Sequence, residues 1–549
     1  MTIEQWLADA SADADRRGLP ELRPLLAAVA TATGTLRQGL EPGVGSRPFD
    51  VPRAAPSRVE GRESGVGVRH PAAADHRDSG QGRVTAGQSA APRTAATGMR
   101  DHMLTIAELA PKIASGQVTA QALTEACLAE IDARNDELRA FITVCADEAL
   151  AQARKADLET AHGHNRGPLH GIPISVKDLI DLRGTPTTAA SRVRDGHMAP
   201  ADAPIVARLR EAGAIFIGKT NLHEFAFGTT SEDSAYGAVR HPRDPSRSPG
   251  GSSGGSAVAI VTGMSVASIG TDTGGSVRIP SAACGLVGLK PTWNEIPADG
   301  VVPLSQALDH VGPLARSVPD AWLLCLVLRG NPVAARWPMP ALPSVKGLRF
   351  GVPRPYFFDV VNDEVRARFE EALDRLRAAG ATTVDVAIPH ASEISAVYLH
   401  VSLPEAAAYH AAAIAALPDR YTRNVRVRIE AGRYVLAEDY VRAQQRREVL
   451  RAEVDAALSS CDGVVLPTLP IPAPPIGVSS VEVSGSYEPV RNVMLRLTQL
   501  FNLTGHPALS IPCGTTGAGL PCGFQMAGRR HKTEDLLAIA AAVELVIRA

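Results

Sequence analysis

Gly250-Gly251-Ser252-Ser253-Gly254-Gly255-Ser256 opens a stretch that continues through an Ala/Val/Ile-rich segment into Gly270-Thr271-Asp272-Thr273-Gly274-Gly275-Ser276-Val277-Arg278-Ile279-Pro280. It closes on Cys284-Gly285-Leu286-Val287-Gly288-Leu289-Lys290-Pro291-Thr292. Two Gly/Ser loops therefore flank an apolar segment too short to span a bilayer. Gly/Ser runs by themselves read as flexible linkers. Linkers, however, do not enclose a buried-looking helix, nor do they end on an acid and a base such as Asp272 and Arg278.

The loops have chemistry of their own. Glycine lets the backbone turn sharply and approach a ligand closely. The run Thr273-Gly274-Gly275-Ser276 can aim consecutive N–H groups at one point, and such a nest stabilises an anion. If the anion is a tetrahedral intermediate, the nest is an oxyanion hole. Ser276 then stands beside it as a nucleophile that needs a base. A candidate base lies upstream in His170-Gly171-Ile172-Pro173-Ile174-Ser175-Val176-Lys177-Asp178, which reads as a short buried strand ending in Lys177. Most lysines are solvated surface charges. Lys177 follows Ile174 and Val176 inward, and desolvation lowers a lysine's proton affinity.

Three competing motifs fail on context. Gly213-Ala214-Ile215-Phe216-Ile217-Gly218-Lys219-Thr220 matches the phosphate-loop pattern letter for letter, but its apolar interior reads as a strand followed by a turn. Gly250 to Gly254 and Gly251 to Gly255 both satisfy G-x-S-x-G, an elbow that needs a hydrophobic strand before it. The preceding Arg240-His241-Pro242-Arg243-Asp244-Pro245-Ser246-Arg247-Ser248-Pro249 cannot be a core strand. Asp272-Thr273-Gly274 lacks the second, facing carboxylate that an aspartic peptidase requires, since Asp78-Ser79-Gly80 lies in a low-complexity segment.

The block 250–292 resembles the amidase signature, and 171–178 resembles the segment that holds that family's catalytic lysine. Lys177, Ser252 and Ser276 fall in the order and spacing of its Ser–cis-Ser–Lys triad. The resemblance runs from about Leu104 to the C-terminus, through Gly218-Lys219-Thr220-Asn221 and Asn502-Leu503-Thr504-Gly505-His506-Pro507-Ala508, and does not cover residues 1–100. It implies that Ser276 attacks an amide carbonyl and that Ser252, in a cis peptide, bridges it to a neutral Lys177. An acyl-enzyme follows. The N–H groups of Thr273, Gly274, Gly275 and Ser276 would hold the oxyanion, while Asp272 and Arg278 support the loop. Phe225, Ala226 and Phe227 are candidates for the acyl side of the pocket, with an ordinary core role equally open. Each serine taken singly is also a helix N-cap candidate.

The implied fold is α/β: one large domain, 101–549, with a mixed twisted sheet covered on both sides by helices. Ahead of it, residues 1–40 show helical spacing and 41–100 are rich in Pro, Gly, Ala, Ser and Arg, which reads as a disordered linker. Met99 or Met103 is a plausible start for the main body, with the leading hundred residues a fusion remnant. Further helices are expected at 104–157, 363–380 and 533–547, and strands at 348–353, 463–467 and 508–512. The segment 332–489 is expected to shape the substrate entrance, with 467–475 on its rim.

A formal charge of −2 without a basic block argues against a nucleic-acid partner. Seven scattered cysteines, never paired as C-x-x-C, fit reduced thiols in the cytoplasm better than disulfides or zinc. No signal peptide or membrane span is visible. The expected function is hydrolysis of a linear amide, with a small-molecule substrate and no cofactor, metal, nucleic acid or membrane; a homodimer is left open. The alternatives are the glutaminase (A) subunit of a tRNA-dependent amidotransferase and a hydrolase of a urea-derived substrate such as allophanate. Such glutaminase subunits carry an Asp seven positions before the Asn of Asn-Leu-x-Gly to grip the glutamine amino group. Leu495 stands there instead. A non-catalytic binding protein is disfavoured, because all three triad positions are intact.

Overall fold

A computed structural model describes residues 1–38, 103–331 and 344–548. The linker expected at 41–100 and the first part of the entrance segment lie outside them.

Eleven strands form one mixed sheet: β1 (Phe141–Val144), β2 (Pro173–Lys177), β3 (Ile215–Thr220), β4 (Ala267–Thr271), β5 (Val287–Lys290), β6 (Val311–Ala315), β7 (Arg349–Val352), β8 (Thr382–Asp385), β9 (Gly463–Pro467), and, after a separate hairpin of β10 (Ser480–Val483) and β11 (Ser486–Pro489), β12 (Ala508–Thr515) and β13 (Pro521–Ala527). Their order is β1-β3-β2-β4-β6-β5-β12-β13-β9-β7-β8. β2 lies between β3 and β4 and is parallel to both. A strand covered on both faces reads as a continuous apolar run rather than an alternation. Ile174 and Val176 of β2, and Ile215-Phe216-Ile217 of β3, obey that rule and are buried. The phosphate-loop look-alike is therefore the strand β3 itself. Its Lys219 is fully buried and ion-paired with Asp178 at 3.0 Å.

Helices flank the sheet. Gly254–Val261 packs on β2 and β4, Arg278–Cys284 on β5, β12 and β13, and Asp363–Ala378 on β9, β12 and β13. Local signals mark their ends. Thr105 accepts from the Glu108 N–H while the Glu108 carboxylate accepts from the Thr105 N–H, a reciprocal capping box at the start of Ile106–Ala114. The apolar run 321–328 belongs to the buried helix Val318–Arg329, opened by Ser317 and closed by Gly330 at φ +82°. No helix among the described residues is long and apolar enough to cross a membrane.

The N-terminal helices Ile3–Arg16 and Arg23–Gln38 do not stand apart from the main body. Leu22, Leu26, Val29 and Leu36 are buried in the same core as the later helices. The Trp6 indole donates to the Tyr434 carbonyl at 3.0 Å, Arg17 pairs with Glu430 at 2.6 Å, and Arg37 pairs with Asp439 at 2.8 Å.

Candidate active site

Side chains alternate across a strand, so Ser175 and Lys177 of β2 point to one face. The Ser175 hydroxyl donates to Ser268 on β4 at 2.9 Å. Two residues on, Lys177 Nζ donates to the hydroxyls of Ser252 at 2.7 Å and Thr271, the last residue of β4, at 3.0 Å. Lys177 is completely buried. Burial pushes its pKa down to about 7, against the pull of the Asp272 and Asp309 charges. Near neutral pH a substantial fraction of this amine is uncharged.

Ser252 sits in the loop ahead of the helix Gly254–Val261, and the Gly251–Ser252 peptide is cis. The Ser231 hydroxyl donates to the carbonyls of Gly250 and Ser252 at 3.0 and 3.2 Å, and the His223 N–H donates to the Ser252 carbonyl at 3.1 Å. This loop touches the next one directly: the Ser253 N–H donates to the Ser276 carbonyl at 3.2 Å. Ser276 is 5 % exposed, and its hydroxyl has no hydrogen-bond partner among the described residues. Lys177 and Ser252 are joined by a hydrogen bond, and Ser252 and Ser276 by adjacency of their loops.

The nest loop is built around Asp272. Its carboxylate accepts from the N–H groups of Val277 and Arg278 at 3.1 and 3.3 Å, which curls 272–278 into a ring. Arg278 clamps it through Nε at 3.0 Å and Nη2 at 2.8 Å, and both side chains are fully buried. Burial alone would raise the Asp272 pKa; the Arg278 guanidinium and the Asn502 amide overcome that and hold it well below the usual carboxylate range. Arg278 also donates to Asn502 Oδ1 at 2.6 Å, Gln525 Oε1 at 2.8 Å and the Thr498 carbonyl at 2.9 Å. A fork of donors with every arm engaged makes a rigid buried support.

The loop tip has no room for side chains. A Cβ on Gly274 would lie 2.6 Å from Tyr398 Oη and 2.9 Å from Leu495 Cδ2. Gly275 has φ +141° and faces the Thr498 side chain. The N–H groups of Thr273, Gly274, Gly275 and Ser276 donate to no other described residue, whereas the Gly274 carbonyl accepts from Thr498 at 2.5 Å. The Thr273 hydroxyl donates to Asp309 at 2.6 Å, whose pKa burial raises to about 6.

Of the residues singled out in the sequence, the structure gathers Lys177, Ser252, Ser276, the 273–276 nest, Asp272 and Arg278 at one place. Phe225, Ala226 and Phe227 are buried, with the Phe225 ring edge-on to His410 at 4.3 Å and beside Tyr421. Phe225 packs against aromatic rings supplied by segments about 190 positions later in the chain. Thr498, Tyr398, Asp309 and Gln525 were not legible as site residues. Asn502 stood in a conspicuous run of sequence, but without a role.

A cavity of about 460 Å³ elsewhere among the described residues is lined by none of the residues of the two loops. His223, Thr229 and Thr230 form one wall, next to the residues that hold Ser252. Leu403 and Arg428 come from the helices Ile394–Ala416 and Arg423–Gly432, Arg491 from Val490–Leu495, and Leu25 from the N-terminal helix Arg23–Gln38.

The family model described as Amidase matches residues 122–537. An amidase of Pseudomonas putida is 40% identical over 455 residues, covering 80% of this chain and 95% of that one. The A subunit of the glutamyl-tRNA(Gln) amidotransferase of Koribacter versatilis is 35% identical over 485 residues, covering 82% of this chain and 99% of that one. A crystal structure of an amidase superposes with a TM-score of 0.76 at 37% identity, covering 81% of this chain and 100% of that one. The sheet, the paired loops and a match over most of the chain lead to one conclusion: this protein belongs to the amidase family.

Proposed function

We propose that this protein hydrolyses the C–N bond of a linear carboxamide through an acyl-enzyme on Ser276, with Ser252 as proton relay and Lys177 as base. The observation that carries the reading is the buried, partly uncharged Lys177 amine 2.7 Å from Ser252 Oγ. An uncharged amine has a lone pair to receive a proton, which an ammonium lacks. As Ser276 Oγ bonds to the carbonyl carbon, its proton passes to Ser252 Oγ and the Ser252 proton to Lys177 Nζ. The carbonyl π pair moves onto oxygen, facing the free N–H groups of the 273–276 loop. Collapse breaks the C–N bond, and the relay runs backwards to protonate the leaving nitrogen. Water then attacks the ester by the same route, releasing carboxylate and restoring the Ser276 hydroxyl.

The glutaminase reading is weaker. Leu495, whose Cδ2 approaches the nest, is an apolar group where a carboxylate would meet the glutamine ammonium.

Hydroxylamine partitioning tests the acyl-enzyme. With a panel of simple carboxamides, added hydroxylamine should divert product from carboxylate to hydroxamate, and Ser276→Ala should make neither. Hydroxamate formation by folded Ser276→Ala protein would overturn the assignment.

A further inference from the structure

One carboxylate beside the nest has no cation to answer it. Asp309 is half-buried and closes the turn 304–309, just before β6. Its Oδ2 accepts from the N–H groups of Leu304 and Ser305 at 2.9 and 3.1 Å, and its Oδ1 accepts from the Thr273 hydroxyl at 2.6 Å. It makes no ion pair with another described residue.

The turn is fixed from behind. Glu405, on the helix Ile394–Ala416, accepts from the Ser305 hydroxyl at 2.6 Å and from the Ala307 N–H at 3.1 Å. The Arg447 guanidinium donates to the Ala307 carbonyl at 3.1 Å. On the other side His310 exchanges two backbone hydrogen bonds with Asp272, at 2.8 and 3.2 Å. Asp309 therefore grips Thr273, the first nest residue, from a rigid seat, and a hydrogen bond to a carboxylate is of the stronger kind.

The same charge bears on the lysine. Proton transfer to Lys177 creates a positive charge in a fully buried place, and such a charge is costly unless it is answered. Two carboxylates act on that amine, Asp272 and Asp309. Asp272 shares its charge with Arg278 at 2.8 Å, whereas Asp309 has no cation of its own. The other titratable groups that face Asp309 do not cancel it. Burial, with Glu405 as a like charge, raises its pKa to about 6, so it is ionised at neutral pH. Burial pushes the Tyr398 phenol up to about 12, so that group stays neutral.

We infer that Asp309 is a positioning residue with two duties: its carboxylate holds Thr273 in line with the rest of the nest, and its unpaired charge answers the ammonium that forms at Lys177 as the proton arrives. The inference rests on the proposed hydrolysis with Lys177 as base.

The test follows kcat and kcat/KM against pH with a neutral carboxamide, beside a circular dichroism spectrum of each variant. Asp309→Asn keeps the shape and removes the charge. The amine then holds a proton less well, so the acid limb of kcat/KM should move to lower pH. The plateau should fall as well, by about tenfold, because the ammonium is no longer answered. General damage to the site would lower the plateau and leave the limb where it is. A limb that stays in place or moves upward in folded Asp309→Asn protein would overturn the inference.

Thr273 reports on the other duty. Thr273→Val removes the hydroxyl and leaves the carboxylate. Its kcat should fall about tenfold or more, with KM little changed and the limb in place, and Thr273→Ser should keep most of the rate. Wild-type kcat in Thr273→Val, or equal losses in both variants, would also overturn the inference, and this pair keeps it testable if Asp309→Asn does not fold. Residual turnover in Lys177→Ala that retains the acid limb would sink the base itself. A limb lost in Lys177→Ala but unmoved in Asp309→Asn sinks the role of Asp309 alone.

Discussion

Lys177 and Ser252, separated by 75 residues along the chain, meet at 2.7 Å in a site from which water is excluded on the lysine side. A strand end supplies the amine and a loop before a helix supplies the hydroxyl, so neither can move without disturbing the sheet. Burial lowers the amine's proton affinity, and Ser252 and Thr271 are the two hydroxyls it donates to among the described residues.

The first prediction concerns pH. In the proposed relay the group that must be unprotonated is Lys177, whose pKa burial lowers to about 7. Below that value the ammonium form predominates and cannot accept a proton; above it the free amine does. The logarithm of kcat/KM for a neutral amide should therefore rise with unit slope toward about 7 and level off above it. A profile flat between pH 5 and 8 in folded protein (about three decades of proton activity) would contradict a lysine base.

The second concerns the nest. Gly275→Ala introduces a methyl group against the Thr498 side chain at φ +141°, a conformation alanine rarely adopts. The loop must shift, and its N–H groups lose their common aim. Turnover should fall by about 10²–10³, the loss typical of one misdirected oxyanion donor, with KM little changed. Steady-state kinetics beside a circular dichroism spectrum separates this from unfolding, and unaltered kcat would show that the loop does not hold the developing charge.

The third concerns the N-terminal helices. Leu26 is fully buried among residues of the main core, so Leu26→Ala should destabilise the whole protein by about 2–5 kcal/mol. Urea unfolding should show one transition moved to lower concentration. If the helix Arg23–Gln38 were a dispensable appendage, the main transition would stay where it is.

Much of the candidate site could be proposed from the sequence because its parts are written in short contiguous runs. The nest is four consecutive residues, 273–276, and Lys177 ends a buried apolar strand. Helix ends are encoded just as locally, since the capping box of Thr105 and Glu108 acts over three residues. The N-terminal helices were legible as helices from the spacing of Leu22, Val29 and Leu36. Their membership of the main core was not, because the surfaces that receive them come from residues about four hundred positions later.

Sequence by itself determined the chemistry available: a Gly-rich loop with a serine, a second serine, and a lysine on an apolar strand. Tertiary structure alone decided which hydroxyl touches the amine, how far the amine's proton affinity falls, and that Tyr398, Leu495 and Thr498 converge on Gly274 and Gly275. Periodicity and capping are carried by neighbours along the chain, whereas desolvation and convergence depend on every element that closes around a point, and those elements span the length of this protein.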